Sequence, residues 1–171
     1  RIYFGNRDKL ISALKNTGRQ LGQYQASGQI PASAAVEHQG KIYFPSEDGC
    51  LYAFDGKGSE KWRYQAASNF KHSPLLGEKR IYISDSTGYL HCLDNKGNVL
   101  WKNRYDTGIS TSASMCYDGT VLFGSRKGEI IAVHPTGEIR WRIRLPKANR
   151  TTPAISREGY IITGCDDGFV Y

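Results

Sequence analysis

A chain of 171 residues falls within the range of one ordinary domain, and its 39% apolar content is enough for a packed core, which excludes a disordered segment. No stretch approaches the roughly 20 consecutive apolar residues of a membrane-spanning helix, and the N-terminus lacks the basic-then-apolar layout of a signal peptide. The net charge of +7 is that of a well-solvated basic surface or of a chain with an acidic partner, and no motif of a nucleic-acid binder accompanies it.

Apolar strand signals recur along the chain in a fixed step. The first is Ile2, Tyr3 and Phe4, and matching starts follow at 42–44, 81–83, 121–123 and 161–163. Residues 9–21 are ambiguous alone and take a strand assignment from their place in the repeat. In the second unit four short strands are expected, beginning with 34–36, 41–44, 51–54 and 61–64, and Gly40, Gly49 and Gly58 lie in the turns between them. The repeats run 1–40, 41–79, 80–119 and 120–159, with a partial unit at 160–171. The fold class predicted is all-β, built as β-propeller blades of four antiparallel strands and about forty residues each. By phase the chain starts at the second strand of one blade and stops within the third of another. The expectation is an open arc of a larger ring, able to self-associate if the ring is incomplete.

Trp62, Trp101 and Trp141 stand 39 and 40 positions apart, each four residues after a glycine: Gly58, Gly97 and Gly137. Such a ring on the outermost strand is expected to be largely buried against the next blade, with the glycine turn close enough to give the indole N–H a partner. The first unit has Gly22 at this position, and Tyr24, in register with Tyr64, is expected to fill the gap. Small residues (Ser33 and Ala34, Ser73 and Pro74, Ser112 and Ala113, Thr152 and Pro153) are predicted to start the innermost strands at the crowded centre.

Residues 53–62, 92–101 and 132–141 carry the turn, glycine and tryptophan together. They resemble the docking motif of pyrroloquinoline-quinone-type propeller repeats, and the resemblance extends over essentially the whole chain. The family includes quinoprotein alcohol dehydrogenases, BamB-type lipoproteins that help assemble outer-membrane proteins, and sensor domains joined to other modules. It implies a parent propeller of seven or eight blades and a periplasmic or extracellular location. A quinoprotein enzyme of this kind has a tryptophan floor, calcium-holding carboxylates and usually two adjacent cysteines. Here Cys50, Cys92, Cys116 and Cys165 are far apart, and every tryptophan is assigned to docking.

No catalytic, cofactor-binding or metal-binding residue is assigned. The histidines have no ligand spacing, and His134 stands where the other units have Asp55 and Asp94, as a turn variant. The acidic turns 46–49, 84–88 and 164–168 have the Asp-before-Gly character of hairpins rather than a calcium-loop pattern. Cations on the outer strands, Lys61, Arg63, Lys102, Arg104, Arg140, Arg142 and Arg144, guard sheet edges or form an anionic docking rim. The loops entering the innermost strands are the expected partner-binding face, with Phe70, Lys71, His72, Lys147, Asn149 and Arg150 as candidates. The functional expectation is a non-catalytic scaffold for a protein partner, an acidic one by charge. A quinoprotein dehydrogenase fragment and a ligand-sensing domain attached to a kinase or other effector are the alternatives.

Overall fold

The hairpin turns are set by one local device. The Asp55 carboxylate accepts hydrogen bonds from the backbone N–H groups of Lys57 and Ser59 at 2.8 and 3.0 Å, and Asp94 does the same for Lys96 and Asn98 at 2.8 and 2.9 Å. The chain then reverses through Gly58 and Gly97, whose φ values of +91° and +89° disfavour a side chain. His134 occupies the same place in the next repeat and accepts from Thr136 N through Nδ1, as expected of a turn variant.

These turns fold the chain, described in a computed structural model from Arg1 to Tyr171, into five successive antiparallel sheets. The first sheet holds β1 (Ile2–Gly5), β2 (Leu10–Leu14) and β3 (Gln20–Gln25). The second holds β4 (Ala35–Val36), β5 (Ile42–Pro45), β6 (Cys50–Phe54) and β7 (Glu60–Gln65). The third is β8 (Leu75–Gly77), β9 (Arg80–Ser84), β10 (Tyr89–Asp94) and β11 (Val99–Arg104). The fourth is β12 (Ser114–Met115), β13 (Val121–Gly124), β14 (Glu129–Val133) and β15 (Ile139–Arg144), and β16 (Ala154–Ile155) pairs with β17 (Ile161–Ile162) in the last. Strands pair in sequence order within each sheet, as in propeller blades. Of the short strands, β12 touches both β8 and β16 at the inner side. They begin one or two residues after the small residues expected to start them. Pro74 and Pro153 cannot donate a ladder bond, so the ladder opens beyond them.

In the second, third and fourth sheets both faces of the middle strands are buried, because each of these blades is sandwiched between two others. Ile42, Phe44, Tyr52 and Phe54 face the first blade and join Ile11, Ala26 and Ile30. The alternate residues Tyr43, Leu51 and Ala53 face the third blade and join Ile81, Ile83 and Leu93. Tyr82, Leu90 and Cys92 meet Val121, Phe123, Ile131 and Val133 in a further layer. Period-two alternation thus sends each residue to one of two cores.

The outer strands add the inter-blade tie. The Trp62 indole N–H donates to Asn95 O on the next blade at 3.2 Å, and the Trp101 N–H donates to Pro135 O at 2.8 Å. A β-carbon on Gly97 would lie 2.8 Å from Cε3 of Trp62, and one on Gly137 would lie 3.0 Å from Cδ2 of Trp101. The Trp62 and Trp101 rings are largely but not fully covered, packed against the inter-blade cores. Trp141 is also partly covered and lines a shallow cleft with Cys116, Tyr117 and Ile155, with no indole hydrogen bond. Trp62→Ala and Trp101→Ala are expected to cost about 2–3 kcal/mol each, less than the 3–5 kcal/mol of a fully buried ring, and Trp101→Ala the more. Arg142→Ala and Arg144→Ala, on the exposed face, are expected to change stability by under about 0.5 kcal/mol. Denaturant midpoints of the four variants check both values.

Candidate functional site

The loops that lead from each outer strand to the next inner strand are laced between turns of two blades. Phe70 N donates to Ser46 O of the second blade, and Ser86 N of the third blade donates to Asn69 O. Arg126 N bonds Gly108 O, and Asp166 N bonds Ala148 O, in the same arrangement one and two repeats later. The backbone of this face is therefore fixed, and its side chains project from a rigid frame.

On this face Lys71, His72, Ser86, Ser110, Arg126 and Arg150 line a bowl of about 560 Å³ together with Ile109 and Ala148. Three successive entry loops and the turns beside them converge here. Arg150 Nε pairs with Asp166 Oδ2 at 2.7 Å, whereas Lys71 and Arg126 have no carboxylate within ion-pair distance. His72 Nδ1 shares a 2.8 Å hydrogen bond with Ser84 Oγ. Burial, then the Arg126 and Lys71 charges, push its pKa below the usual imidazole range. The bowl is thus a cationic surface with hydroxyl donors, suited to carboxylates or other anions.

Of the sequence candidates, the structure brings together Lys71, His72 and Arg150. Lys147 is exposed on the same loop but outside the bowl. Phe70 and Asn149 have no exposed surface, which corrects their assignment as partner contacts. Phe70 packs edge-on against His91 at 5.5 Å, and Asn149 Nδ2 donates to Gly164 O at 2.8 Å, so both hold their loops down. Arg126, Ser86 and Ser110 were missed. The signal for them was repeat phase: residues 85–88 and 125–128, with Ser86 and Arg126, align with the turn at 46–49 and so share its face, and Ser110 stands 39 positions after Lys71 in the next entry loop.

Four of the seven outer-strand cations have a partner, and Arg104, Arg142 and Arg144 have none. Lys61 pairs with Asp55 at 2.8 Å, Arg63 with Glu60 at 2.8 Å, and Arg140 with Asp118. Lys102 lies 4.3 Å from the Tyr89 ring centroid. An edge-guarding role accounts for them better than a docking rim.

One buried polar relay joins the second and third blades. The Tyr64 hydroxyl lies 2.9 Å from His91 Nδ1, and His91 Nε2 lies 3.0 Å from Asp85 Oδ2. His91 and Asp85 are 0% and 1% exposed, so no substrate reaches them. Burial pushes the His91 pKa below its usual range, against the pull of Asp85. Burial works against the Asp85 carboxylate, but hydrogen bonds from Thr87 and His91 hold its pKa below the ordinary value. A neutral His91 satisfies every partner: Nδ1 accepts from Tyr64, and Nε2–H donates to Asp85.

A family model described as outer membrane protein assembly factor BamB matches residues 7–164. The chain belongs to this PQQ-like, BamB-type propeller family. BamB from Moraxella catarrhalis superposes with a TM-score of 0.84 at 23% identity, over 98% of this chain and 53% of that one. The computationally designed Ika8 protein gives 0.82 at 16% identity, over 98% and 53%. The WD40 propeller domain of Doa1 gives 0.81 at 16% identity, over 98% and 58%. The chain therefore spans little more than half the length of these structures, and at such identities the likeness establishes the fold. No curated protein matches the chain.

For this BamB-family chain the relay has a measurable consequence. His91 and His72 both have pKa values lower in the fold than in the unfolded chain, where imidazole titrates near 6.5. The unfolded state therefore binds more protons as the pH falls. Stability from these groups is full above about pH 7 and declines through pH 6.5 and below, by up to about 1.4 kcal/mol per group for each pH unit between its two pKa values. Denaturation midpoints are expected to fall from pH 7.5 to pH 5.5. His91→Gln, less stable at every pH, is expected to lose less over that interval.

Proposed function

We propose that this chain is part of a non-catalytic propeller scaffold that docks an acidic segment of a protein partner in the bowl formed by Lys71, Arg126 and Arg150. The observation that carries this reading is the convergence of cations from three successive blades on one rigid face, with two of them free of carboxylate partners. The family supports it: its model bears the name of an outer membrane protein assembly factor, and the expected partner is accordingly another protein of the cell envelope. The non-catalytic part rests on chemistry. The Tyr64, His91 and Asp85 relay is sealed within the core, and the one hydroxyl held against a base at the bowl, Ser84 Oγ on His72, is itself buried and does not line it.

Electrostatic docking of this kind is sensitive to salt and to charge sign. A fluorescent hexaglutamate peptide titrated into the chain is expected to bind with an affinity that falls steeply as salt rises. The Lys71→Glu, Arg126→Glu double variant is expected to lose about tenfold or more, equivalent to about 1.4 kcal/mol. Equal binding by the double variant, with its fold intact by circular dichroism, would remove the bowl from the docking role.

A further inference from the structure

The first four outer strands share one socket. Each has a β-bulge at the same place and a small residue opposite the tryptophan position: Ala13 faces Gly22, Ala53 faces Trp62, Cys92 faces Trp101 and Ala132 faces Trp141. At the second and third interfaces the socket's floor is a glycine turn against the ring, and its single polar contact is a backbone carbonyl that accepts the indole N–H. Between the first and second blades every part is retained except the ring. Gly22 has no side chain, the space over Gly58 is open, and Gly56 O stands in the turn where Asn95 O and Pro135 O stand in theirs. A cavity of about 60 Å³ remains, walled by Tyr3, Ile11, Tyr24, Ile42, Phe44 and Phe54.

Tyr24 does not fill this gap as expected from its register. Its ring lies against Phe54 and Tyr52, with centroids 5.0 and 5.6 Å away, and forms a wall. The Tyr3 hydroxyl instead donates to Gly56 O at 3.2 Å, and Arg1 reaches the same carbonyl. The acceptor meant for an indole is thus held by substitutes, and an aromatic wall stands beside it.

We propose that this cavity is a binding site for a small molecule of the indole class. The strand from which the ring would hang, β3, is already present. What is missing is therefore a side chain alone, and the complementary ligand is a free ring rather than a peptide. An apolar void of about 150 Å³ left by a large side chain stays dry and admits benzene. The void here is smaller, and Tyr3 and Arg1 both hold Gly56 O, so entry requires them to release that carbonyl, which the ring N–H then takes over. The ring rests over Gly58 against Tyr24 and Phe54. With Gly56 O as the backbone acceptor in a slot of aromatic and aliphatic walls that also carries Ser12, Gln23, Asp55 and Lys57, an N–H-bearing bicycle is favoured over the same bicycle without a donor.

Backbone ¹H–¹⁵N spectra of the chain titrated with indole test this. Saturable shifts are expected at the Gly22, Gly56 and Gly58 amides. Binding of 1-methylindole is expected to be about fivefold weaker, as loss of one neutral hydrogen bond implies. Tyr3→Ala should tighten indole binding. Gly22→Trp should abolish it and raise the unfolding midpoint by filling the socket, and Gly22→Phe serves as a second block should tryptophan disturb the strand. Indole shifts that do not saturate up to its solubility limit would overturn the proposal. So would unchanged titrations in both Gly22 variants, or binding of a tryptophan-bearing peptide without binding of indole.

Discussion

An indole lying on the glycine turn of the next blade, with its N–H on that turn's carbonyl, is the contact around which the rest of this molecule is arranged. It imposes conditions on two blades at once. The outer strand must present the ring through a bulge, the strand beside it must offer a small residue such as Ala53 or Cys92, and the receiving turn must lack a β-carbon at Gly97 or Gly137. A β-carbon less than or about 3.0 Å from the ring would displace it or the turn. The receiving turn is in turn shaped by Asp94, or by His134 in its place. Each tie therefore couples a tryptophan to a turn 33 or 34 residues ahead, and that coupling keeps the repeat in phase.

With the blades fixed to one another, the loop face becomes a rigid platform. Entry loops laced to the turns on both sides leave little freedom for the backbone that bears Lys71, Arg126 and Arg150. Buried groups below the face complete the frame. Phe70 packs edge-on against His91 of the relay, and Asn149 reaches Gly164 just beyond the last sheet. In the proposed docking, cations gathered on such a frame meet an anionic segment without first paying the entropy of ordering a loop. The outer rim, by contrast, spends Lys61, Arg63 and Arg140 on neighbouring carboxylates.

Much of the fold was legible because its signals repeat. The tryptophans at 62, 101 and 141, their preceding glycines and the apolar strand starts give the period, the strand order and the all-β class directly. Loop residues were harder to read. Residue type alone favours burial of Phe70 over Lys71, but the segment has no strand alternation to place either side chain, and burial there depends on how the loop crosses two turns. Arg126 stayed hidden for a related reason: its turn is distant in sequence from residues 71 and 150 and joins them only through the blade geometry. Gly22 showed that a ring was absent. That Tyr3, rather than Tyr24, takes the vacant carbonyl follows from side-chain reach, and the sequence carries no mark of it.

Hydrogen exchange of the three indole N–H groups, followed by NMR in the native protein, measures the central contact without altering it. The account predicts strong protection for Trp62 and Trp101, whose protons are held by Asn95 O and Pro135 O, and fast exchange for Trp141, which has no such acceptor. Exchange of all three at the rate of a free indole would contradict it.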